Sequence, residues 1–221
     1  MKKNTYREII EQVLGMTKNI VLTGFEPFGG SQINPSIIAC KSYENQIISD
    51  YEIKVFEIPL RFKEIKNQIE EIVKQEEPKA VICTGQSPRP VISVERVAIN
   101  VADLVKSAYN CRTKPEDEIL DLAGPAAYFT KLPIKLIKSN LEEDKIPCEI
   151  SNSAGTYGCN QIFYHLMHFI NTNNINIPAG FIHVPSLPEQ VIGKNYPSMS
   201  IETIKRGIGI IINTTIEELT T

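Results

Sequence analysis

The sequence predicts an α/β fold: a single-domain three-layer sandwich, with a mostly parallel twisted sheet and helices on both faces. Three observations predict it. Short apolar runs alternate with amphipathic stretches along the chain, in a repeated order of strand, loop and helix. The runs at 19–24 and 79–85 are short and centred on unbroken apolar residues (20–22 and 80–83), as in buried strands. Between them Phe62, Ile65, Ile69, Ile72 and Val73 recur at helical spacing. The 221 residues suffice for one full core, and no internal repeat or low-complexity tract divides them.

Taken in order, 19–24 is a buried strand. Asn34 then caps a helix that has Pro35 at its first position and runs to about Tyr43. Residues 51–58 alternate as a strand, 62–76 form an amphipathic helix, and 79–85 is a strand bounded by Pro78 and Gly85. "VERVAIN" (94–100) reads as one further strand, and 105–130 as a long loop or insertion. A helix at 134–144 is followed by a strand at 147–155 that ends in small residues. A strong helix spans 160–170. The strand that opens "GFIHVPSLPEQ" (180–190) runs into a proline-rich loop, and Ser200 caps a last helix to about residue 218. Residues 1–15 stand apart from the domain at 16–221. They read either as a docked extra helix stopped by Gly15 or as sequence ahead of a true start at Met16.

Composition narrows the function. The chain is 42% hydrophobic and 22% charged, with a net charge of −3 and no basic cluster, so neither nucleic acid nor an anionic membrane is expected as a partner. No apolar run approaches the ~18 residues of a membrane span, and no signal-peptide core is visible. The five cysteines, Cys40, Cys83, Cys111, Cys148 and Cys159, include no C-x-x-C pair. That argues against a disulfide framework and a structural zinc, and for a cytoplasmic setting. No metal and no cofactor is expected.

Two stretches carry the chemistry. "VLTGFEPFGGS" (21–31) spaces Gly24, Gly29, Gly30 and Ser31 as in a phosphate loop, but Gly30 stands where the lysine belongs. Pro27 removes one N–H, and Phe25 and Phe28 bring rings where a nucleotide needs polar backbone. Such a loop suits a small flat ligand. Equally, either ring alone could belong to the core. "SAGTYGCNQIFYH" (153–165) places Cys159 at a predicted helix N-terminus. There the dipole and free N–H groups are expected to lower its pKa and to hold an oxyanion.

A nucleophilic cysteine wants a histidine. His165 and His168 lie roughly 9 and 13 Å further along the same helix at 1.5 Å per residue, out of reach, and read as surface or edge residues. His183 ends a different strand and is left by elimination. Glu95, at the head of an apolar strand, needs a partner, and His183 or Arg96 would serve.

With these residues in view, the sequence resembles the pyroglutamyl-peptidase I (pyrrolidone-carboxylate peptidase) family. The resemblance spans nearly all of 18–218 and rests on "TGFEPFGGSQINPS", "ERVAIN", "AGPAAYFTKLPIK", "SNSAGTYGCNQIFY" and "GFIHVPSLPEQ". It implies a cytosolic, metal-free, tetrameric cysteine peptidase acting on peptides blocked by an N-terminal pyroglutamyl residue through a thioester. It puts the triad at Glu95, Cys159 and His183, and the lactam pocket at Phe25, Phe28 and Tyr157, with the backbone at Gln86 on the lactam. Departures also show. Val105 stands in place of the family's oxyanion arginine, with Lys106 beside it. The loop Gly85-Gln86-Ser87-Pro88-Arg89-Pro90 is one residue shorter, and Gly158 replaces a larger residue, which would loosen one pocket wall. The altered loops leave a non-catalytic lactam-binding relative as the alternative.

Overall fold

The computed structural model describes residues 18–104 and 115–220. The extension at 1–15, Val105, Lys106 and Cys111 lie outside the described residues.

Seven strands form the main sheet: β1 (Lys18–Phe25), β2 (Ile47–Ile48), β3 (Tyr51–Ile58), β4 (Ala80–Gln86), β5 (Ile92–Glu95), β8 (Cys148–Ser151) and β9 (Ala179–Val184). Their order is β2-β3-β1-β4-β9-β5-β8. The pairs β3/β1, β1/β4, β4/β9 and β5/β8 are parallel, whereas β5 runs antiparallel to β9, and β2 antiparallel to β3. Helix α1 (Pro35–Lys41), α3 (Ile134–Glu143) and α5 (Ile201–Thr220) cover one face; α2 (Ile65–Glu76) and α4 (Gly158–Thr172) cover the other. The three layers predicted from the sequence are present.

Strand periodicity divides the core in two. Along β1, Ile20 and Leu22 pack under α1 and α5, while Val21 and Phe25 pack under α2 and α4. A strand apolar on both sides is what this requires. Gly24 breaks the run because α1 passes directly over it: a Cβ there would lie 2.6 Å from the Ile37 backbone. Asn34 caps α1 by accepting from the Ser36 N–H at 3.0 Å, with Pro35 next, as the sequence predicts. That cap occupies the end of a seven-residue helix, so the glycine loop is no phosphate cradle.

Several boundaries differ from expectation. "VERVAIN" is two strands. Arg96 lies between β5 and β6 (Val97–Ile99), and β6 pairs with β7 (Ala127–Phe129) in a separate small sheet. The predicted loop at 105–130 thus holds a strand, which its three residues are too short to announce. Helix α2 starts at Ile65, because the preceding residues form a turn closed by Glu64 N–H to Arg61 carbonyl.

His165 is also not at the surface. Helix α4 is apolar nearly all round and buried, and His165 is 3% exposed, packed edge-on to Tyr164. His168, half-buried, meets the Tyr128 hydroxyl at 2.9 Å. Burial pushes the His165 imidazole down, to about 4, and Lys66 adds to the fall. It is therefore neutral in the fold, while the unfolded chain takes up its proton below about 6.5. Its contribution to stability is full above about 6.5 and is lost as pH falls towards 4. Urea unfolding should show a decline in stability across that window, and His165→Leu should flatten it. An unchanged slope in His165→Leu would contradict this account.

Candidate active site

β5 and β9 bring the acid and the base together. Ser93 is the cross-strand partner of His183, and Glu95, two residues on, lies on the same face and diagonal to it. Their side chains close the diagonal: His183 Nδ1 lies 2.7 Å from Glu95 Oε1. Glu95 is fully buried and His183 is 4% exposed. The antiparallel pairing of β5 and β9, within a mostly parallel sheet, brings the two residues to this contact. Phe181 packs edge-to-face on the His183 ring, with centroids 4.9 Å apart, and fixes it from the side.

Arg96 is not the second partner of Glu95. It turns to Asn152, its Nε donating at 2.8 Å. Arg89 takes the place instead: its Nη1 donates to the same Oε1 at 2.7 Å, and its Nη2 to the Ser153 carbonyl at 2.7 Å. The sequence held a signal for Arg89, a cation in a proline-flanked loop six residues before a buried acid. Two arginines near one glutamate cannot be told apart without the fold.

Cys159 is the second residue of α4 and lies on the same face of the sheet. Gly85 of β4 is the register partner of His183, and a Cβ on Gly85 would come within 2.8 Å of Cys159 Sγ. The sulfur therefore rests over the strand next to His183, and only glycine at 85 leaves it room. Tyr157 is the N-cap of α4 and makes no side-chain cap bond. The first-turn N–H groups, which have no acceptor within the helix, are not consumed by a cap as they are in α1. Contrary to the expectation from the helix dipole, burial pushes the Cys159 thiol up, to about 12; Glu95 adds to the rise and Arg89 opposes it. Burial and the nearby carboxylate thus oppose the acidity expected from the helix end.

A cavity of about 450 Å³ opens over these residues, within the usual range for a small-molecule site. Phe25, Phe28, Gln86, Tyr157, Cys159 and His183 all line it. The fold thus gathers all seven predicted site residues at one place. Phe25 is 2% exposed and belongs to the core as well, so of the two rings Phe28 is the more open to the pocket. The Gln86 side chain is engaged elsewhere. It donates to Ser186 Oγ at 2.8 Å and exchanges amide bonds with Gln190, which also reaches Ser31 and the Ile33 carbonyl. Gln190 closes the "HVPSLPEQ" motif and ties three pocket loops together, a role the sequence does not reveal.

Gly158 does not loosen the wall. Leu60 fills the space: its Cδ1 lies 2.2 Å from where a Cβ on Gly158 would sit. The Leu60 N–H is held by Glu26 Oε1 at 3.0 Å, which fixes this replacement wall to the glycine loop. Sequence distance hides such a swap, since the two positions are neighbours only across the pocket.

The family model described as pyroglutamyl peptidase matches residues 18–218. The pyrrolidone-carboxylate peptidase of Thermococcus kodakarensis is 46% identical over 202 residues, covering 91% of this chain and 97% of that protein. The Bacillus licheniformis pyrrolidone-carboxylate peptidase is 44% identical over 196 residues, 88% of this chain and 91% of that one. Among solved structures, pyroglutamyl peptidase I from Bacillus amyloliquefaciens superposes with a TM-score of 0.86 at 38% identity, covering 90% of this chain and 95% of that chain. A mutant pyrrolidone carboxyl peptidase from Pyrococcus furiosus gives 0.86 at 37%, covering 91% and 99%. The chain belongs to the pyroglutamyl peptidase family.

Proposed function

We propose that this chain removes the N-terminal pyroglutamyl residue from blocked peptides, with Cys159 as nucleophile, His183 as base and acid, and Glu95 as the group that orients the imidazole. The 2.7 Å contact between buried Glu95 and His183, beside the sulfur resting on Gly85, carries this reading.

The steps follow from the contacts. Glu95 holds the Nδ1–H of His183, leaving Nε2 as the base. The Cys159 thiol, raised by burial, is not a standing thiolate, so it gives its proton to His183 as Sγ attacks the scissile carbonyl. The uncapped N–H groups at the start of α4 receive the oxyanion. Collapse breaks the C–N bond, and the amine leaves with the proton from His183. Water then gives a proton to His183 and attacks the thioester, and Cys159 departs and regains its proton.

The pocket suits the substrate. Pyroglutamate is a neutral flat lactam, and Phe25, Phe28, Tyr157 and Leu60 offer it apolar walls. Its ring N–H and C=O need partners, since each left bare costs about 1–3 kcal/mol. With its amide side chain engaged, Gln86 contributes through its backbone. A charged N-terminus would lose its hydration among these rings, and Asp103 is the lining carboxylate it would have to reach.

The peptidase domain is assigned to 16–221, supported by the match over 18–218, and residues 1–15 stand outside it. Cys40, Cys83, Cys148 and Cys159 are free, and no helix among the described residues is long and apolar enough to cross a membrane. A reduced nucleophile fits a cytoplasmic enzyme. Leu122, Phe129 and Ile192 are largely exposed and supply apolar surface for the homotetramer that the family resemblance implies. Light scattering should return four times the chain mass; a monomer would remove this part.

Hydrolysis of a chromogenic pyroglutamyl amide tests the rest. Cys159→Ser and His183→Ala should each lose on the order of 10⁶-fold in kcat, and Glu95→Gln on the order of 10⁴-fold, by analogy with other triads. Retained activity in Cys159→Ser would remove the nucleophile assignment. The prolyl amide, with the same ring size but a charged amine, should not be cleaved. Phe28→Ala should lower kcat/KM for the lactam by about tenfold or more, as expected for a lost aromatic wall. Equal turnover of both substrates would overturn the pocket assignment.

A further inference from the structure

Below the pocket, the Glu95 carboxylate makes a second contact that the catalytic steps do not use. Glu95 is fully buried, and its Oε2 has no hydrogen-bond partner among the described residues. A carboxylate so placed beside a neutral imidazole is strongly disfavoured unless a cation is near. In the proposed steps His183 takes on charge only while it holds the proton of the thiol or of water, so it is no standing counter-ion. Among the described residues, Arg89 is the permanent cation within ion-pair distance of Glu95.

We propose that Arg89 is a positioning residue: it holds Glu95 as a carboxylate against His183 and ties that carboxylate to the loop that delivers Cys159. This role rests on the triad assigned above. Its geometry is specific. Arg89 Nη1 and His183 Nδ1 converge on one oxygen, each at 2.7 Å, so Oε1 is fixed from two sides. Arg89 Nη2 donates to the Ser153 carbonyl, four residues before Tyr157 and six before Cys159. One planar guanidinium thus joins the end of β5 to the turn that opens α4, which an ammonium with a single centre does not do. Pro88 and Pro90 flank Arg89 and narrow its backbone freedom.

The other charges around the pair are few. Glu149 Oε1 lies 3.9 Å from Arg89 Nη1, but it is about half exposed and accepts from Ser93 Oγ. Arg96 is engaged with Asn152. The Cys159 thiol feels both charges: Glu95 raises it and Arg89 lowers it. Arg89 therefore bears on the nucleophile as well as on the base.

The test uses Arg89→Met and Arg89→Lys in the full chain, with two readouts. One is steady-state hydrolysis of a pyroglutamyl amide. The other is the rate of iodoacetamide alkylation at about pH 9, mapped to Cys159 by peptide mass, which needs no turnover. Arg89→Met should lower kcat by about tenfold to a hundredfold, the scale of a lost charged hydrogen bond, with KM little changed. It should also slow alkylation of Cys159. Arg89→Lys should restore the alkylation rate and recover only part of kcat, since it returns the charge without the second bond to Ser153. If Arg89→Met does not fold, Arg89→Lys carries the same two readouts. Wild-type kcat and alkylation in Arg89→Met would overturn the proposal, as would a Lys variant no better than Met in both. An inactive wild-type enzyme would instead count against the triad, and the alkylation rates would still decide the role of Arg89.

Discussion

Glu95 and His183 share a hydrogen bond of 2.7 Å in a place almost closed to water, and the surrounding structure is arranged to make that bond possible. β5 must run against β9 for the two residues to lie diagonal on one face. Gly85 must lack a side chain so that the Cys159 sulfur fits beside them. Phe181 braces the imidazole, and Arg89 offsets the carboxylate. A carboxylate at that depth without these neighbours would be an expensive fault in the core.

The pocket above the pair is walled by rings and held by loop ties, with Arg89 and Asp103 as its charged lining residues. Phe25 sits half in the core and half in the wall, Phe28 and Tyr157 close the sides, and Leu60 occupies the space left by Gly158. Gln86 and Gln190 pair amide to amide and hold three loops at one spacing. Rigidity of this kind suits a small neutral ligand, because little ordering is left to be done when it binds.

Much of this was legible in the sequence, and the reasons are physical. The layers followed from continuous apolar strands and helical periods, which are local signals. Cys159 was marked by small residues before a helix, and His183 by the distance of its two rivals. Apart from the local turn that delays α2, the differences are of long range. Arg96 stood next to Glu95 in the chain, but Arg89 reached it because β5 ends where Arg96 turns towards Asn152. The break of "VERVAIN" into two strands is a consequence of which sheet each half joins. His165, set apart from Cys159 by its distance along the helix, reads as a surface or edge residue, while α4 is buried nearly all round. The thiol was expected to be acidic from the helix end alone. Burial and the nearby Glu95 carboxylate push it the other way.

The central claim is that the Cys159 sulfur, prompted by His183, takes the pyroglutamyl group before water does. Rapid acid quench of the enzyme during turnover, followed by peptide mass analysis, tests it most directly. The account predicts a pyroglutamyl thioester on the peptide containing Cys159, formed and lost at rates consistent with turnover. Turnover with the acyl group on another residue, or undiminished turnover by Cys159→Ala, would contradict it.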